Sequence, residues 1–326
     1  MIFSRSIYFL VVIFLHFSAN VFAGHWEHET YSSAFGIRNY HVFIPENLSA
    51  KVKPALLIML HGCDQTPQEF AKGSRIESWA EKEKFIVLMP EQNILYNPFK
   101  CWNWILPANN SRIGEPNEIV NMLDLVITKF TADESRVYAA GMSAGASMVS
   151  ILGNCFPEKF KALASHDGTQ YYASATGLDF STVVLYGASV LPEVAASVGN
   201  KCSIFSSNRP TQMPMILFHG MNSPLMSALH AVQIETEMNA FNDYLDNNAR
   251  DNSYFKSSTI VKVKDNNRYG YTLYKTINND NETIIERYMI NHLNHAWSGG
   301  VLGKYNDPKG PDASELIINF FKQHGL

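Results

Sequence analysis

Several features are missing from this sequence, and each absence excludes a class of protein. The 26 basic residues do not exceed the 30 acidic ones, so nucleic acid is not expected as a partner. Charged residues make up only 17% of the chain and hydrophobic residues 46%, which excludes a disordered protein. No Pro-, Ser- or Gly-rich linker and no internal repeat divides the chain, so we expect a single folded domain.

Long apolar runs are also missing, except for one at the N-terminus. This run extends from Ile7 to Phe17, follows the lone charge of Arg5, and gives way to small or neutral residues ending at Ala23. It is too short for a membrane-spanning helix, which needs roughly 20 apolar residues. The layout predicts a secretory signal peptide over residues 1–23, a secreted protein (extracellular or periplasmic) without a stable membrane span, and one α/β domain over 24–326. An uncleaved membrane anchor is the alternative.

Cysteine is scarce, and no CxxC spacing that would indicate a zinc site occurs. In an exported protein, an even number of cysteines favours disulfides, and four cysteines allow three pairings. His25 and His28 could touch a metal, but a solvated strand edge is the favoured interpretation. The four cysteines are Cys63, Cys101, Cys155 and Cys202.

What the chain does have is an alternation of apolar strands and helical patterns. The repeated strand–helix units predict a mostly parallel sheet with helices on both faces. The least regular segment, residues 171–209, is expected to form an insertion over the active site. Strands are predicted near residues 41–45, 55–60, 85–89, 136–140, 160–165, 213–218, 258–263, 271–277 and 284–289, and helices near 74–84, 115–130, 143–152, 227–245 and 312–323.

The sharpest motif is Gly141-Met142-Ser143-Ala144-Gly145, between a predicted strand and a helix of small residues. This context is typical of a nucleophile elbow, in which a tight turn exposes a serine hydroxyl and glycines avoid clashes. Acyl transfer also needs donors for the developing oxyanion. The backbone N–H of Ala144 is one candidate. The N–H of Cys63, in the loop after strand 55–60, is the second, although His61-Gly62 could simply form a turn.

A general base is expected after the last core strand, where three histidines occur. His295 lies in a glycine-rich loop, Asn-His-Ala-Trp-Ser-Gly-Gly, that suits a catalytic imidazole. His292 is close to the strand end and is interpreted as structural, and His324 at the chain end as solvated. His295 is therefore the predicted base.

Five motifs together resemble the poly(3-hydroxybutyrate) depolymerase-type esterase family. The resemblance implies an α/β-hydrolase fold, hydrolysis of a polyester or another carboxylic ester without metal or organic cofactor, Ser143 as nucleophile and His295 as base. Related esterases cut feruloyl and acetyl esters on plant polysaccharide, which is the alternative substrate. The motifs are HGCDQTPQEF (61–70), CWNW (101–104), GMSAG (141–145), HAWSGG (295–300) and YNDPKGPDAS (305–314).

One departure from the family pattern concerns the acid that orients the histidine. The pattern expects Asp in the loop after the seventh strand, where this chain has Ser223. Asp167 follows the neighbouring strand, and adjacent strands are only about 5 Å apart, so we predict that Asp167 orients His295. Asn222 is the alternative orienting group, and a Ser–His pair without an acid is a third.

The resemblance also bears on the cysteines and tryptophans. It places Cys63 and Cys101 in adjacent active-site loops, which implies a Cys63–Cys101 bond and leaves Cys155–Cys202 as the second pair. It implies that Trp102 and Trp104 border the active site, although ordinary packing of at least one is equally compatible with the sequence. A secreted binding protein that has lost catalysis is the alternative from another functional class, and the missing acid is its support.

Overall fold

The computed structural model describes residues 24–34 and 36–326, so the predicted signal peptide lies outside the described residues. Ten strands form one mixed sheet. They are β1 (His25–Ser33), β2 (Gly36–Ile44), β3 (Leu56–Leu60), β4 (Ile86–Pro90), β5 (Val137–Met142), β6 (Ala162–His166), β7 (Met215–Gly220), β8 (Phe255–Val263), β9 (Tyr271–Asn278) and β10 (Thr283–Ile290). Two short strands, β11 (Trp297–Ser298) and β12 (Asn306–Asp307), pair separately.

The strand order in the sheet is β1-β2-β4-β3-β5-β6-β7-β10-β9-β8. The six strands from β4 to β10 run parallel, and antiparallel strands flank them on both sides. The central strands are continuously apolar, as in the wholly buried LLIML of β3, because a parallel sheet is covered on both faces. The predicted, mostly parallel sheet is confirmed.

Helices cover both faces of the sheet, as predicted. On one face α3, α4, α6 and α7 bury side chains such as Met122, Leu152 and Phe241. On the other, α1, α2 and α8 bury Phe70 and Phe321 among others. The helices are α1 (Pro67–Ser74), α2 (Ile76–Glu83), α3 (Glu115–Phe130), α4 (Ala144–Cys155), α5 (Phe180–Tyr186), α6 (Pro192–Ser203), α7 (Leu229–Asn247) and α8 (Ala313–Gln323).

Some local predictions differ from the structure. The predicted helix over 74–84 is α2, which begins at Ile76 after a left-handed Arg75, and α1 just before it was not predicted. The segment 171–209, predicted to be irregular, contains α5 and α6. Within the described residues, no helix combines the length and apolarity that crossing a membrane would require.

The carboxyl ends of the parallel strands position the chemistry. Met142 of β5 pairs with His166 of β6, and His166 in turn pairs with Phe218 of β7. Strand β10 lies beside β7. The loops that leave β5, β6, β7 and β10 therefore meet at one edge of the sheet, which is where ligands bind in open α/β sheets.

Candidate active site

Ser143 occupies the turn between β5 and α4. Its backbone has φ of 55° and ψ of −122°, a sparsely populated conformation for a residue with a side chain. A Cβ on Gly141 would lie 2.5 Å from the Gly145 carbonyl carbon, and one on Gly145 would overlap the Leu60 carbonyl oxygen. The flanking glycines are therefore required by close packing of β5, α4 and β3. The turn presents Ser143 to a cleft.

His295 lies on the wall of the same cleft, in the loop after β10. Its Nδ1 is 3.6 Å from Asp167 Oδ2 and 3.5 Å from Ser223 Oγ. Asp167 and Ser223 thus face the same ring nitrogen, Asp167 from the end of β6 and Ser223 from the loop after β7. Asn222 has an exposed side chain, and its backbone N–H donates to the Leu293 carbonyl.

The Asp167 carboxylate is wholly buried, and within the described residues its Oδ1 accepts a hydrogen bond whereas its Oδ2 accepts none. Its Oδ1 accepts from the Gly220 N–H at 3.0 Å and lies 3.1 Å from His219 Nδ1. Its Oδ2 lies 3.4 Å from His166 Nδ1. Three imidazoles, those of His166, His219 and His295, therefore surround one carboxylate.

Burial and charge act in opposite directions on these groups. Burial alone would raise the pKa of Asp167, but His219, His166 and His295 together hold that pKa well below its ordinary value. Burial lowers the pKa of His295, although the Asp167 carboxylate works against this shift. Asp167 is therefore ionised and His295 unprotonated at neutral pH, as a carboxylate–base pair requires.

The loop after β3 is braced from several sides. The buried His61 lies with Nδ1 2.7 Å from the Gly62 carbonyl oxygen and accepts at Nε2 from the Gln92 N–H at 3.1 Å. The Gly62 N–H donates to Gln65 Oε1 at 2.8 Å. A disulfide joins Cys63 to Cys101, as the resemblance implies. Cys63 and Ala144, the two expected oxyanion donors, both line the cleft.

The cleft, about 190 Å³ in volume, is largely apolar. Trp104 lines the cleft, and the centroid of its ring lies 5.8 Å from that of the Phe180 ring. Trp102 does not line the cleft: it is wholly buried in the core against His61. The expectation that Trp102 contacts a substrate is corrected, because its indole fills the core beneath the loop. The other apolar residues of the cleft wall include Met142, Val184, Leu225, Met226 and Tyr305.

The remaining candidates lie away from the cleft. Cys155 and Cys202 form the second disulfide, between α4 and α6. His292 is exposed. His324, expected to be solvated, is instead half-buried, with Nε2 3.1 Å from the Thr283 carbonyl oxygen. His25 and His28 lie on β1, and the described residues hold no group of three or more His, Cys, Asp or Glu side chains suited to a metal ion.

Several residues of the site were not identified from the sequence. His166 and His219 directly precede Asp167-Gly168 and Gly220, and only the strand order reveals that both reach the same carboxylate. Phe180, at the start of α5, and Leu225 and Met226, in the loop after β7, come from segments without a motif. Gln65 and Tyr305 lie inside the family-like motifs 61–70 and 305–314, so those motifs were the available signal.

Comparisons with known proteins assign this chain to a family. A family model described as Esterase PHB depolymerase matches residues 38–256. Feruloyl esterase B of Neurospora crassa is 31% identical over 203 residues, or 60% of this chain and 66% of that protein. Acetylxylan esterase A of Emericella nidulans is 28% identical over 190 residues, or 56% and 60%. The chain thus spans less than two thirds of the length of these relatives.

A solved structure extends the comparison of the fold. The acetyl xylan esterase from Aspergillus awamori matches with a TM-score of 0.69 at 20% identity, covering 92% of this chain and 100% of that chain. At this identity the match concerns the fold, which is that of an α/β-hydrolase. Because the family model covers most of the chain, the protein belongs to the PHB depolymerase family of esterases.

Proposed function

We propose that this protein is a secreted serine esterase that hydrolyses carboxylic esters through an acyl-enzyme. Ser143 Oγ attacks the ester carbonyl carbon while His295 takes its proton. His295 then donates that proton to the departing alkoxide, and water, deprotonated by the same imidazole, releases the acid. The observation that carries the proposal is the position of Asp167 Oδ2, 3.6 Å from His295 Nδ1, beside a cleft that Ser143 and His295 share.

The site also offers donors for the negative charge that develops on the carbonyl oxygen. The Ala144 N–H is the first of α4 and has no partner within its own helix. The Cys63 N–H belongs to the loop that His61, Gln65 and the Cys63–Cys101 bond brace. Pre-positioned donors of this kind lower the barrier because they need no reorganisation during the reaction.

The buried carboxylate beside His295 argues against the alternative of a binding protein that has lost catalysis. That alternative rested on the absence of an acid at position 223. Asp167 supplies one from the adjacent strand, where it accepts the Gly220 N–H. Secretion is supported by the signal-like residues 1–23 and by the two disulfides, which persist in oxidising compartments.

Two classes of ester are candidate substrates for this site. A poly(3-hydroxybutyrate)-type polyester or its oligomers would place short apolar units in the cleft. An acetyl or feruloyl ester of a polysaccharide is favoured by a second pocket of about 160 Å³, which shares Gln65 and Tyr305 with the cleft. Its charged lining suits a hydroxyl-rich alcohol next to an apolar acyl group. The charged residues are Asp64, Glu69, Lys72 and Lys304.

Covalent labelling with a fluorophosphonate tests the proposed reaction. We expect the reagent to modify the peptide that contains Ser143 and to abolish hydrolysis of p-nitrophenyl acetate. Ser143→Ala should lose both the label and the activity. Ser150→Ala is the matched control, because Ser150 lies in α4 but donates to the Thr169 carbonyl at 2.8 Å, away from the cleft.

Persistent hydrolysis by Ser143→Ala, or labelling elsewhere, would contradict the proposal. The wild-type protein is then assayed with 3-hydroxybutyrate oligomers, acetylated xylan and methyl ferulate, and the kcat/KM values rank the substrate classes. A preference for the oligomers would reject the polysaccharide ester, and the reverse order would reject the polyester.

A further inference from the structure

Gln65 is a buried residue on the wall between the cleft and the second pocket, and the steps above give it no contact with substrate. The residue is only 3% exposed, yet it lines both cavities. The cleft holds Ser143 and His295, and the second pocket has the charged lining. Gln65 therefore lies where an ester bound across both cavities would pass from its acyl part to its alcohol part.

One hydrogen bond fixes the orientation of the Gln65 amide. The Gly62 N–H donates to Oε1 at 2.8 Å, and a backbone N–H can only donate, so the atom that faces it is the oxygen. The Nε2 group is thus the end of the amide turned away from the Gly62 N–H. A Cβ built on Gly62 would lie 3.1 Å from Gln65 Oε1 and 3.3 Å from Ser143 Cβ. The amide therefore lies beside the nucleophile.

The Nε2 group has two N–H donors that the protein does not use. Among the residues that the structure describes, no backbone or side-chain group accepts from Gln65 Nε2. Nor does Nε2 belong to the unpaired polar atoms that those residues enclose completely, so it is accessible from the cavities. Polar groups in the interior are nearly always paired, because an unmet donor has given up its bonds to water. Donors left open at a pocket wall are available to a bound substrate.

We propose that Gln65 Nε2 donates a hydrogen bond to an oxygen atom in the alcohol part of the ester. This inference rests on the proposed function and deepens it, because it names the feature of the alcohol that the site selects. The oxygen belongs to a hydroxyl group of a sugar or to the carbonyl group of the next unit of a polyester, since both accept a hydrogen bond. A hydrocarbon alcohol leaves the donors unmet, and sites built to hydrogen-bond a substrate discriminate against such analogues.

The other parts of the site leave the alcohol side to Gln65. The negative charge on the carbonyl oxygen has its own candidate donors in the backbone N–H groups of Cys63 and Ala144. The cleft wall that would receive the acyl part includes Phe180 and Val184, whose side chains have no donor. Beyond Gln65, an ion pair between Lys304 and Asp64 borders the second pocket, where its two charged groups can bind further oxygen atoms of an alcohol.

Gln65→Glu tests the inference, because at pH 8 a carboxylate still accepts from the Gly62 N–H but has no N–H to donate. Acetate release is measured from 2-hydroxyethyl acetate and from propyl acetate, which differ by one oxygen in the alcohol. The ratio of the two kcat/KM values should fall roughly threefold to tenfold in the variant, the size of one neutral hydrogen bond. An effect of the new charge on the reaction itself alters both esters alike and cancels in the ratio.

Gln68→Glu is the matched control. Gln68 is exposed on α1 and lines neither cavity, so this variant adds the same charge nearby and should leave the ratio unchanged.

A second pair of esters distinguishes the two sources of the oxygen. Ethyl 3-acetoxybutyrate carries a carbonyl group in its alcohol part, as a polyester does, and sec-butyl acetate does not. A lower ratio for the first pair alone assigns a hydroxyl acceptor, and a lower ratio for the second pair alone assigns a carbonyl acceptor. Ratios that stay unchanged for both pairs in Gln65→Glu would overturn the inference.

Acetyl transfer by the wild-type protein gives a measurement that does not depend on the folding of a variant. An added alcohol attacks the acetyl-enzyme formed from p-nitrophenyl acetate: its oxygen forms the new ester bond, the bond to Ser143 Oγ breaks, and the alcohol proton passes through His295 to Oγ. We expect ethylene glycol or ethyl 3-hydroxybutyrate to accept more acetyl per hydroxyl group than 1-propanol or 2-butanol, their respective analogues. No preference for either oxygen-bearing alcohol would contradict the role of Gln65. Loss of the proposed function would appear instead as esterase activity that survives Ser143→Ala.

Discussion

Two buried carboxyl groups in this protein have opposite charge states. Asp167, at the end of β6, and Glu237, on α7, are both inaccessible to solvent. The imidazoles around Asp167 lower its pKa despite burial. Burial raises the pKa of Glu237 to about 8, and the Asn154 amide only weakens that shift. Asp167 is therefore ionised at neutral pH and Glu237 is protonated.

The difference shows that partners, and not burial, decide whether an interior acid is charged. Asp167 receives a backbone N–H from Gly220 and faces three ring nitrogens. Among the residues that the structure describes, both oxygens of Glu237 accept no hydrogen bond, whereas of Asp167 only Oδ2 accepts none. An ionised carboxylate without donors is too costly to bury, so the group keeps its proton. The charged member is the one placed beside a base.

Removing the charge of Asp167 should have the largest effect. Asp167→Asn is expected to reduce kcat on p-nitrophenyl acetate on the order of 10⁴-fold, the loss seen when a related triad loses its acid with geometry intact. The amide cannot stabilise the imidazolium that forms on His295 during attack. Steady-state kinetics measures the loss, and thermal unfolding monitored by circular dichroism checks that the fold survives.

Asn222→Ala is the control for this variant, because the Asn222 side chain is exposed. Its kcat should change less than about threefold, in keeping with surface substitutions away from structural features. A severe loss in Asn222→Ala with little loss in Asp167→Asn would assign the orienting role to the amide. Mild losses in both, with an inactive Ser143→Ala, would indicate a Ser–His pair without an acid.

Moving the acid to the family's usual loop should have an intermediate effect. Ser223 Oγ already lies 3.5 Å from His295 Nδ1, so a carboxylate at position 223 can reach the ring. The double variant Asp167→Ser, Ser223→Asp should have a kcat roughly ten- to a hundredfold higher than that of Asp167→Ser alone. This gain is a part of the 10⁴-fold effect that such an acid contributes. Parallel kcat measurements on the two proteins decide this, and equal activities would count against the exchange.

Glu237 should affect turnover least but should change how stability depends on pH. Protonated Glu237 contributes stability that is complete below its unfolded-state pKa near 4.5 and is lost in full above its folded pKa of about 8. Glu237→Gln has no such titration. The free energy of unfolding of the wild type relative to this variant should therefore fall by up to about 1.4 kcal/mol per pH unit within that window.

Urea unfolding at pH 5, 6.5 and 8.5 measures this difference, with the exposed Glu134→Gln as control. A constant difference between wild type and Glu237→Gln across the three pH values would show that Glu237 does not change protonation there. Glu237 would then not be the protonated acid that contrasts with the ionised Asp167.

Much of the fold could be predicted because it is encoded locally. The apolar strand 55–60, the periodic helix 115–130 and the Gly-x-Ser-x-Gly turn each carry their own pattern. The boundary errors have local causes as well, such as the left-handed Arg75 that divides α1 from α2. The spacing of apolar residues does not predict this helix boundary, because the boundary depends on the backbone conformation of one residue.

The site was predictable where residues follow strands and less so where side chains meet across strands. The proximity of Asp167 to His295 could be inferred because β6 and β7 are neighbours in such a sheet. The positions of His166 and His219 beside Asp167 depend on how each ring is oriented, and the sequence does not contain that information. Which of Trp102 and Trp104 packs in the core could not be decided for a similar reason, since a tryptophan beside an active-site loop can point into the core or into the cleft.

The scattered origin of the site also has a consequence for how the protein is made. Ser143, Asp167 and His295 follow three different strands, β5, β6 and β10, and β10 comes last of the ten strands of the sheet in chain order. Contacts between distant parts of a sequence form slowly, because a long loop must close before these contacts can stabilise the fold. A nascent chain on the ribosome has its serine and acid long before its base. Esterase activity would therefore appear only after β10 and the loop that carries His295 have joined the sheet, and would report on that step of folding.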